Sequence, residues 1–506
     1  MEQLKELVYI LSLNKTKKIR QYGFLQDETG RLLGFYIGLV NEAWNTDEEA
    51  AQALLNVDAK HKTYRRLRNS LKEELLNAFL FLDFDNSNHS DIQKAHHDCY
   101  KDWTQISILA SLAAKKTSTS LAKQILKKGI EYDLTFIIIE SARMLRRTNA
   151  SYIGNEKDHE YYSSIIKNYS NVLSLEIQAE EVYTSFIRHY TRSKATQKHL
   201  FGIYKKDYED IMPQLGKIES YVFHIYGYMS GVTLYMSIND FKTTAEICRS
   251  GITYFENKSY NHKAAQLSFL YQLVVCSMQL GNYEEGKAAI EKCYLLAKIG
   301  THDWFRTLEN HFLLCLYTSE NSKAWELFQT AKNAKGFKHL LPAVQERWIL
   351  HEAYIHFLVE IGKAGENIKS DKKFKVSKFL NEVAPAFSQD KRGLNIPILI
   401  IQVLFLWNHK KFDDAYQRIE ALSKYNSRHL KKEDDSYRTT CFIKMLEVSA
   451  KYGFQPEETK TNASEYFELM NEAEIVFANQ SAEIEYIPYH FLWKYGMQVL
   501  DRVIPN

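Results

Sequence analysis

Proline and glycine are scarce in this chain, whose 506 residues include only 7 prolines and 20 glycines. No proline precedes Pro213, so the first part of the chain can form helices with few forced interruptions. Sustained alternation of apolar and polar residues, which is typical of strands, is also missing. The sequence therefore predicts an all-α protein, with a length that suits several compact domains or one elongated array.

A strong excess of charge of one sign is absent as well. The chain has 65 lysines and arginines against 62 aspartates and glutamates, which gives a formal net charge of +3. Neither end carries an acidic or basic tail. This balance argues against a protein whose main task is to bind a polyanion.

Long apolar runs and paired cysteines are missing too. Nowhere do about 18 consecutive apolar residues occur, the length that a membrane helix needs. The first residues, Met-Glu-Gln-Leu-Lys-Glu-Leu, include two glutamates and are not followed by a long apolar core, so we do not expect a secretory signal. The six cysteines are scattered without paired spacing, as expected for reduced thiols. We therefore expect a cytoplasmic protein that does not contact a membrane.

Catalytic signatures are largely absent. The chain has no phosphate-binding loop, no GxGxxG and no CxxC. The stretch from His351 to His356 resembles a zinc-protease motif, but its histidines are five residues apart rather than four, so they do not share a helix face. We predict no catalytic residue, no cofactor and no metal site. A pocket that gathered His89, His96 or Glu352 would favour the remaining hypothesis, a cryptic enzyme.

The most regular segment covers residues 270–293 and reads LYQLVVCSMQLGNYEEGKAAIEKC. Its first half carries an apolar stripe at helical spacing, followed by Gly281 and Asn282, which can end a helix in a tight turn. A second helix then begins at Tyr283 and presents small and apolar side chains to the first. The stripes consist of Leu270, Leu273 and Val274 on the first helix and of Gly286, Ile290 and Cys293 on the second.

This helix–turn–helix resembles a tetratricopeptide repeat (TPR), with Gly286 where that family usually has alanine. Weaker copies begin their second helices at Phe241, Asn321 and Phe412, so the spacings of 42, 38 and 91 residues exceed the roughly 34 of an ideal repeat. The resemblance covers residues 222–334 and 396–425. It implies an α-solenoid of antiparallel helix pairs, a TPR-like superhelix.

Three regions are expected along the chain. Residues 1–105 would form an N-terminal helical domain, which ends after the polar stretch Asp85–His97. Residues 106–215 would form helical hairpins, as divergent repeats. Residues 216–506 would contain the TPR-like repeats and C-terminal capping helices.

The resemblance implies that the inner faces of the first helices hold a peptide or protein. On the clearest repeat these faces would include Gln272 and Gln279, and half-buried tyrosines such as Tyr235 and Tyr354 suit the same role. The expected function is that of a non-catalytic scaffold or adaptor, which could also act as a ligand-responsive regulator.

Basic residues near the N-terminus support a different hypothesis, nucleic-acid binding. Lys17, Lys18 and Arg20 follow the first predicted helix, and Arg65 and Arg68 lie on a later one. Clustered cations of this kind neutralise phosphates and give binding that weakens steeply with salt.

Overall fold

The computed structural model describes residues 1–13, 30–80, 91–150, 154–192, 197–260, 262–365, 379, 395–429, 437–473 and 485–504. Within these ranges the protein has 21 α-helices and no strand. The prediction of an all-α fold is confirmed. None of the described helices combines the length and the apolar character that a membrane crossing requires.

The chain divides into two compact units, Met1–Tyr169 and Ser170–Asn506. Unit 1 contains α1 (Glu2–Leu13), α2 (Arg31–Val40), α3 (Asp47–Leu55), α4 (Lys62–Phe79), α5 (Asp91–Ser111), α6 (Lys115–Glu131), α7 (Thr135–Asn149) and the first part of α8 (Glu156–Arg192). The predicted boundary near residue 105 lies inside α5, and the one near 215 falls at the end of α9. The division into three regions stays a prediction.

Unit 2 contains the rest of α8 and thirteen further helices. These are α9 (Gln197–Leu215), α10 (Tyr221–Ser237), α11 (Phe241–Glu256), α12 (Lys263–Gln279), α13 (Tyr283–Leu296), α14 (His302–Tyr317), α15 (Asn321–Asn333), α16 (Pro342–Glu360), α17 (Asn395–Asn408), α18 (Phe412–His429), α19 (Tyr437–Lys451), α20 (Pro456–Glu472) and α21 (Tyr489–Val503). A short 3₁₀ helix, Phe337–His339, precedes α16.

In unit 1, the first four helices enclose a small core that includes Phe35, Tyr64 and Leu71. Asp47, the first residue of α3, contacts both α4 and the N-terminus. Its carboxylate accepts a hydrogen bond from Tyr64 Oη at 2.7 Å and pairs with the Met1 amino group at 2.8 Å. Helices α5 to α7 pack around a separate cluster.

In unit 2, sequential helices pack as hairpins joined by a turn that recurs. Three residues connect α10 to α11, α12 to α13, α14 to α15 and α17 to α18. The middle residue is left-handed each time, at Asn239, Gly281, Ser319 and Lys410 (φ between 59° and 68°). The next N–H then bonds five residues back, as in Asn282 N to Ser277 O at 2.9 Å. This is the Schellman ending of a helix, and it reverses the chain in minimal length.

The hairpin α12/α13 matches the helix pair predicted from residues 270–293. Gly281 has φ 68° and ends the first helix, as expected. Gly286 lies where α13 comes close to both of its neighbours, because a Cβ there would stand 3.3 Å from both Ser277 Cβ and Leu314 Cδ1. The small residue therefore sets the spacing of α12, α13 and α14 together.

Successive hairpins also contact each other. The second helix of one pair packs on the first helix of the next, as α11 does on α12, α13 on α14 and α15 on α16. First helices also contact first helices, as α12 does α14. The predicted capping helices correspond to α20 and α21, and α21 packs on α17, α19 and α20. Helices packed in neighbouring pairs are compatible with a helical repeat; the TPR assignment and the solenoid stay predictions.

The recurrent turn gives a direct test of stability. Ser319 is exposed and has a left-handed backbone conformation. This conformation costs roughly 1 kcal/mol for most residues, but not for glycine, and less for asparagine and aspartate. We expect Ser319→Gly to raise the free energy of unfolding by about 0.5–1 kcal/mol in urea titrations. The matched change Gly281→Ala should lower it by about 1 kcal/mol, since its Cβ would meet open space and only the backbone is strained. Equal stability of the two variants would contradict this account.

Candidate binding surface on the first helices

The first helices of the later hairpins are buried on nearly every side. In α14, twelve of the sixteen residues are buried, including the polar Thr307, Glu309 and Asn310. By contrast, only five residues of the second helix α15 are buried. Second helices leave part of α14 to other neighbours, which include the first helices α12 and α16.

A non-helical segment, Glu485–Pro488, packs on the neighbouring first helix α16. All four residues are buried, and Ile487 is only 1% exposed. The ring of Tyr486 stacks on Tyr354 of α16, with centroids 5.0 Å apart and planes 12° apart. The same ring lies 5.3 Å from the ring of His351, one helical turn earlier. Helix α21 follows directly and packs on α17, where Gly496 lets it approach Trp407.

An ionic cluster with a buried carboxylate and a half-exposed guanidinium lies beside Tyr486. Arg347 of α16 donates two hydrogen bonds to Glu309 of α14, from Nε at 2.7 Å and from Nη2 at 3.1 Å. His351 Nε2 lies 3.1 Å from Glu309 Oε1. Burial alone would raise the pKa of Glu309, but these hydrogen bonds and the Arg347 charge outweigh it and lower the pKa to about 2. Burial lowers the pKa of His351, and the carboxylate partner of its Nε2 assigns the ring N–H to that nitrogen.

A second buried ion pair fixes the start of the segment. Arg438, the second residue of α19, forms a fork with Glu485 through Nε at 2.7 Å and Nη2 at 3.2 Å. Its Nη1 donates to the carbonyl oxygens of Met470 and Ala473 at the end of α20. Glu485 in turn accepts from the backbone N–H of Tyr489 at 2.8 Å, which caps α21. Arg438 thus binds a carboxylate and a helix C-terminus at once.

The structure brings together only part of the predicted peptide-binding set. Tyr354 lies at the centre of this surface, but it is 2% exposed, donates to Pro397 O at 3.0 Å and contacts the chain's own Tyr486. In the structure it therefore packs inside the protein and offers no accessible ring. Gln279 is half-buried beside Tyr317, which lies close to Glu485.

The other two candidates lie further along the first helices. Gln272 is half-buried on α12, two turns before Gln279 on the same helix face. Tyr235 is half-buried on α10 and packs against Phe201 and Tyr208, with ring centroids 5.5 and 6.1 Å away. Within the described structure, neither forms a hydrogen bond or a ring contact with the segment Glu485–Pro488.

Sequence reasoning missed the charged residues of this surface, Glu309, Arg347, Arg438 and Glu485. One signal was available: Glu309 lies in a short polar stretch, Glu309–His311, that separates Leu308 from the apolar run beginning at Phe312, and a carboxylate on such a helix needs a partner when it is buried. Its partners lie 38 and 42 residues away, and Arg438 and Glu485 are 47 residues apart. No local pattern indicates such pairings.

The residues proposed for nucleic-acid contact are only partly described. Lys17, Lys18 and Arg20 lie outside the described residues. Arg65 is exposed on α4, and Arg68 on the same helix pairs with Asp47 at 3.1 Å. Nucleic-acid binding stays a prediction.

The residues considered for metal or enzyme chemistry are dispersed. Among the residues whose structure is described, no three His, Cys, Asp or Glu side chains gather as a metal site would require. Glu352 pairs with Lys332 at 2.8 Å, His96 stacks near Tyr100 on α5, and His89 lies outside the described residues. All six cysteines are free and buried.

No protein-family model matches this chain, and neither a curated protein nor a solved structure shows significant similarity to it. The resemblance to tetratricopeptide repeats therefore depends on the residues of the chain itself and on the packing of its helix pairs.

The low pKa of Glu309 predicts how stability depends on pH. Its folded-state pKa lies below the ordinary value of 4.5, so the stabilisation is complete near pH 7 and is lost as the pH falls from about 5 towards 2. We expect Glu309→Gln to lower the free energy of unfolding by roughly 3 kcal/mol at pH 7 and to flatten this acid dependence. Denaturant titrations from pH 3 to pH 7 measure both effects.

Exposed Glu291 on α13 provides the matched control, and Glu291→Gln should change neither quantity by more than about 0.5 kcal/mol. If Glu309→Gln kept the acid limb of the wild type, the ionic cluster would not have the role described.

Proposed function

We infer that this protein is a non-catalytic, cytoplasmic scaffold or adaptor, in which a TPR-like solenoid binds a peptide or protein along its first helices. One observation carries the proposal: the first-helix surface holds a non-helical segment, Glu485–Pro488, by aromatic stacking and by paired charges. The surface therefore has the chemistry that recognition of a linear peptide requires.

The composition of the surface supports the same function. Recognition surfaces are enriched in tyrosine and arginine, because these side chains bury a large area and also offer a polar group for hydrogen bonds to the partner. Tyr354, His351 and Arg347 occur within eight residues of α16, and all three act on one side of it. The hairpins provide a rigid base, because the Schellman turns and the Gly286 contact fix neighbouring helices to each other.

Affinity capture from the native host, followed by mass spectrometry, tests this function. We expect the full chain to retain a specific protein partner and Gln272→Arg to reduce its yield severalfold, because Gln272 lies half-exposed on a first helix. The control Gln417→Arg adds the same charge at an exposed position of the second helix α18 and should leave the yield unchanged.

Retention of background proteins alone by the wild type would contradict the adaptor function. A signal that nuclease treatment removes, and that weakens steeply as salt rises, would favour the nucleic-acid hypothesis instead.

A further inference from the structure

We propose that Glu485–Pro488 is an internal ligand, and that the surface beneath it binds partner peptides in which an acidic residue directly precedes a tyrosine. The inference deepens the proposed function and rests on it. It names the chemistry of the partner and the contact that the partner must displace.

Arg438 recognises the acidic residue of the internal ligand. The guanidinium is 7% exposed and meets both oxygens of Glu485 in a bidentate fork. A planar fork of two parallel hydrogen bonds selects a carboxylate by geometry as well as by charge. Without a carboxylate, the partners that Arg438 would keep among the described residues are the carbonyl oxygens of Met470 and Ala473. An incoming peptide must therefore supply an acidic side chain at this position.

Two rings and the ionic cluster surround the tyrosine of the internal ligand. Tyr354 stacks on Tyr486, and the ring of His351 lies at its side. His351 in turn contacts Glu309 at 3.1 Å, so the tyrosine position lies beside the ionic cluster. The stack suits any aromatic ring, but the neighbouring charges favour one that carries a hydroxyl.

The internal ligand leaves one buried group unsatisfied. His351 is 1% exposed, and its Nε2 faces Glu309, whereas its Nδ1 has no hydrogen-bond partner among the described residues. An unmade hydrogen bond in a buried place is costly. A partner peptide that donates a hydrogen bond to Nδ1 would therefore bind this surface more tightly than the internal ligand does. Such a peptide would displace the internal ligand more readily.

Competition from within the chain sets the expected affinities. A linked segment acts at an effective concentration on the order of millimolar, so it masks the surface from weak ligands. Weakening the internal ligand should expose the surface without altering the residues that read the peptide. Tyr486→Ala is the change that does this, since it removes the stacked ring and leaves Tyr354, His351 and Arg438 in place.

The test measures fluorescence anisotropy of a labelled, end-blocked peptide, Glu-Tyr-Ile-Pro-Tyr, which has the sequence of residues 485–489. We expect the full-length Tyr486→Ala chain to bind it at least about tenfold more tightly than the wild type does. Adding Tyr354→Ala to that chain should abolish binding. The control peptide Glu-Ala-Ile-Pro-Tyr should not bind either chain.

A Tyr486→Ala chain that keeps its helical circular dichroism but gains no affinity would overturn the proposal. If that variant does not fold, hydrogen exchange of the wild type decides. Millimolar peptide should accelerate exchange of the Tyr489 amide, because Arg438 holds the Glu485 carboxylate that accepts from this amide in the docked segment. An unchanged rate would overturn the proposal. In either case, partner capture that still depends on Gln272 would leave the proposed function standing.

Discussion

The described structure of unit 2 depends on covering the first helices from two sides. Second helices such as α13 and α15 cover one side, as in any stack of hairpins, and the segment 485–503 covers the other along α16 and α17. The apolar residues of α16 and α17 point in nearly all directions, so a bare face would leave a large apolar area in water. The C-terminal segment is therefore part of the core and also occupies the surface most suited to a ligand.

Two ion pairs, each with a buried carboxylate, make this arrangement specific. Pairs of this kind add little net stability over an apolar contact, but each is costly to break by half. Glu309 joins α14 to α16, and Glu485 joins the segment to Arg438. A slip of the segment by one residue would separate Glu485 from Arg438 and Tyr486 from Tyr354 together. The charges thus set the register, and the stacked rings supply contact area.

Local features of this fold could be predicted from the sequence, whereas the surface could not. The stripes of residues 270–293 and the turn at Gly281 follow from spacing and from the conformational range of glycine, and the structure has both. At Ser319 and Lys410 the same turn is built from residues without that preference, so tertiary packing must impose it. The sequence predicts Tyr354 as a partner-binding residue, yet its ring stacks on Tyr486, 132 residues later in the chain. Contacts over such separations depend on the complete fold, and no periodicity in either segment reveals them.

A double-mutant cycle between Tyr354 and Tyr486 tests most directly whether the C-terminal segment docks on the first helices. The free energy of unfolding would be measured for the wild type, Tyr354→Leu, Tyr486→Leu and the double variant. Stacked rings in contact predict a coupling energy of about 0.5–1.5 kcal/mol. Additive effects, with no coupling beyond about 0.3 kcal/mol, would show that the two rings do not meet and would contradict the account.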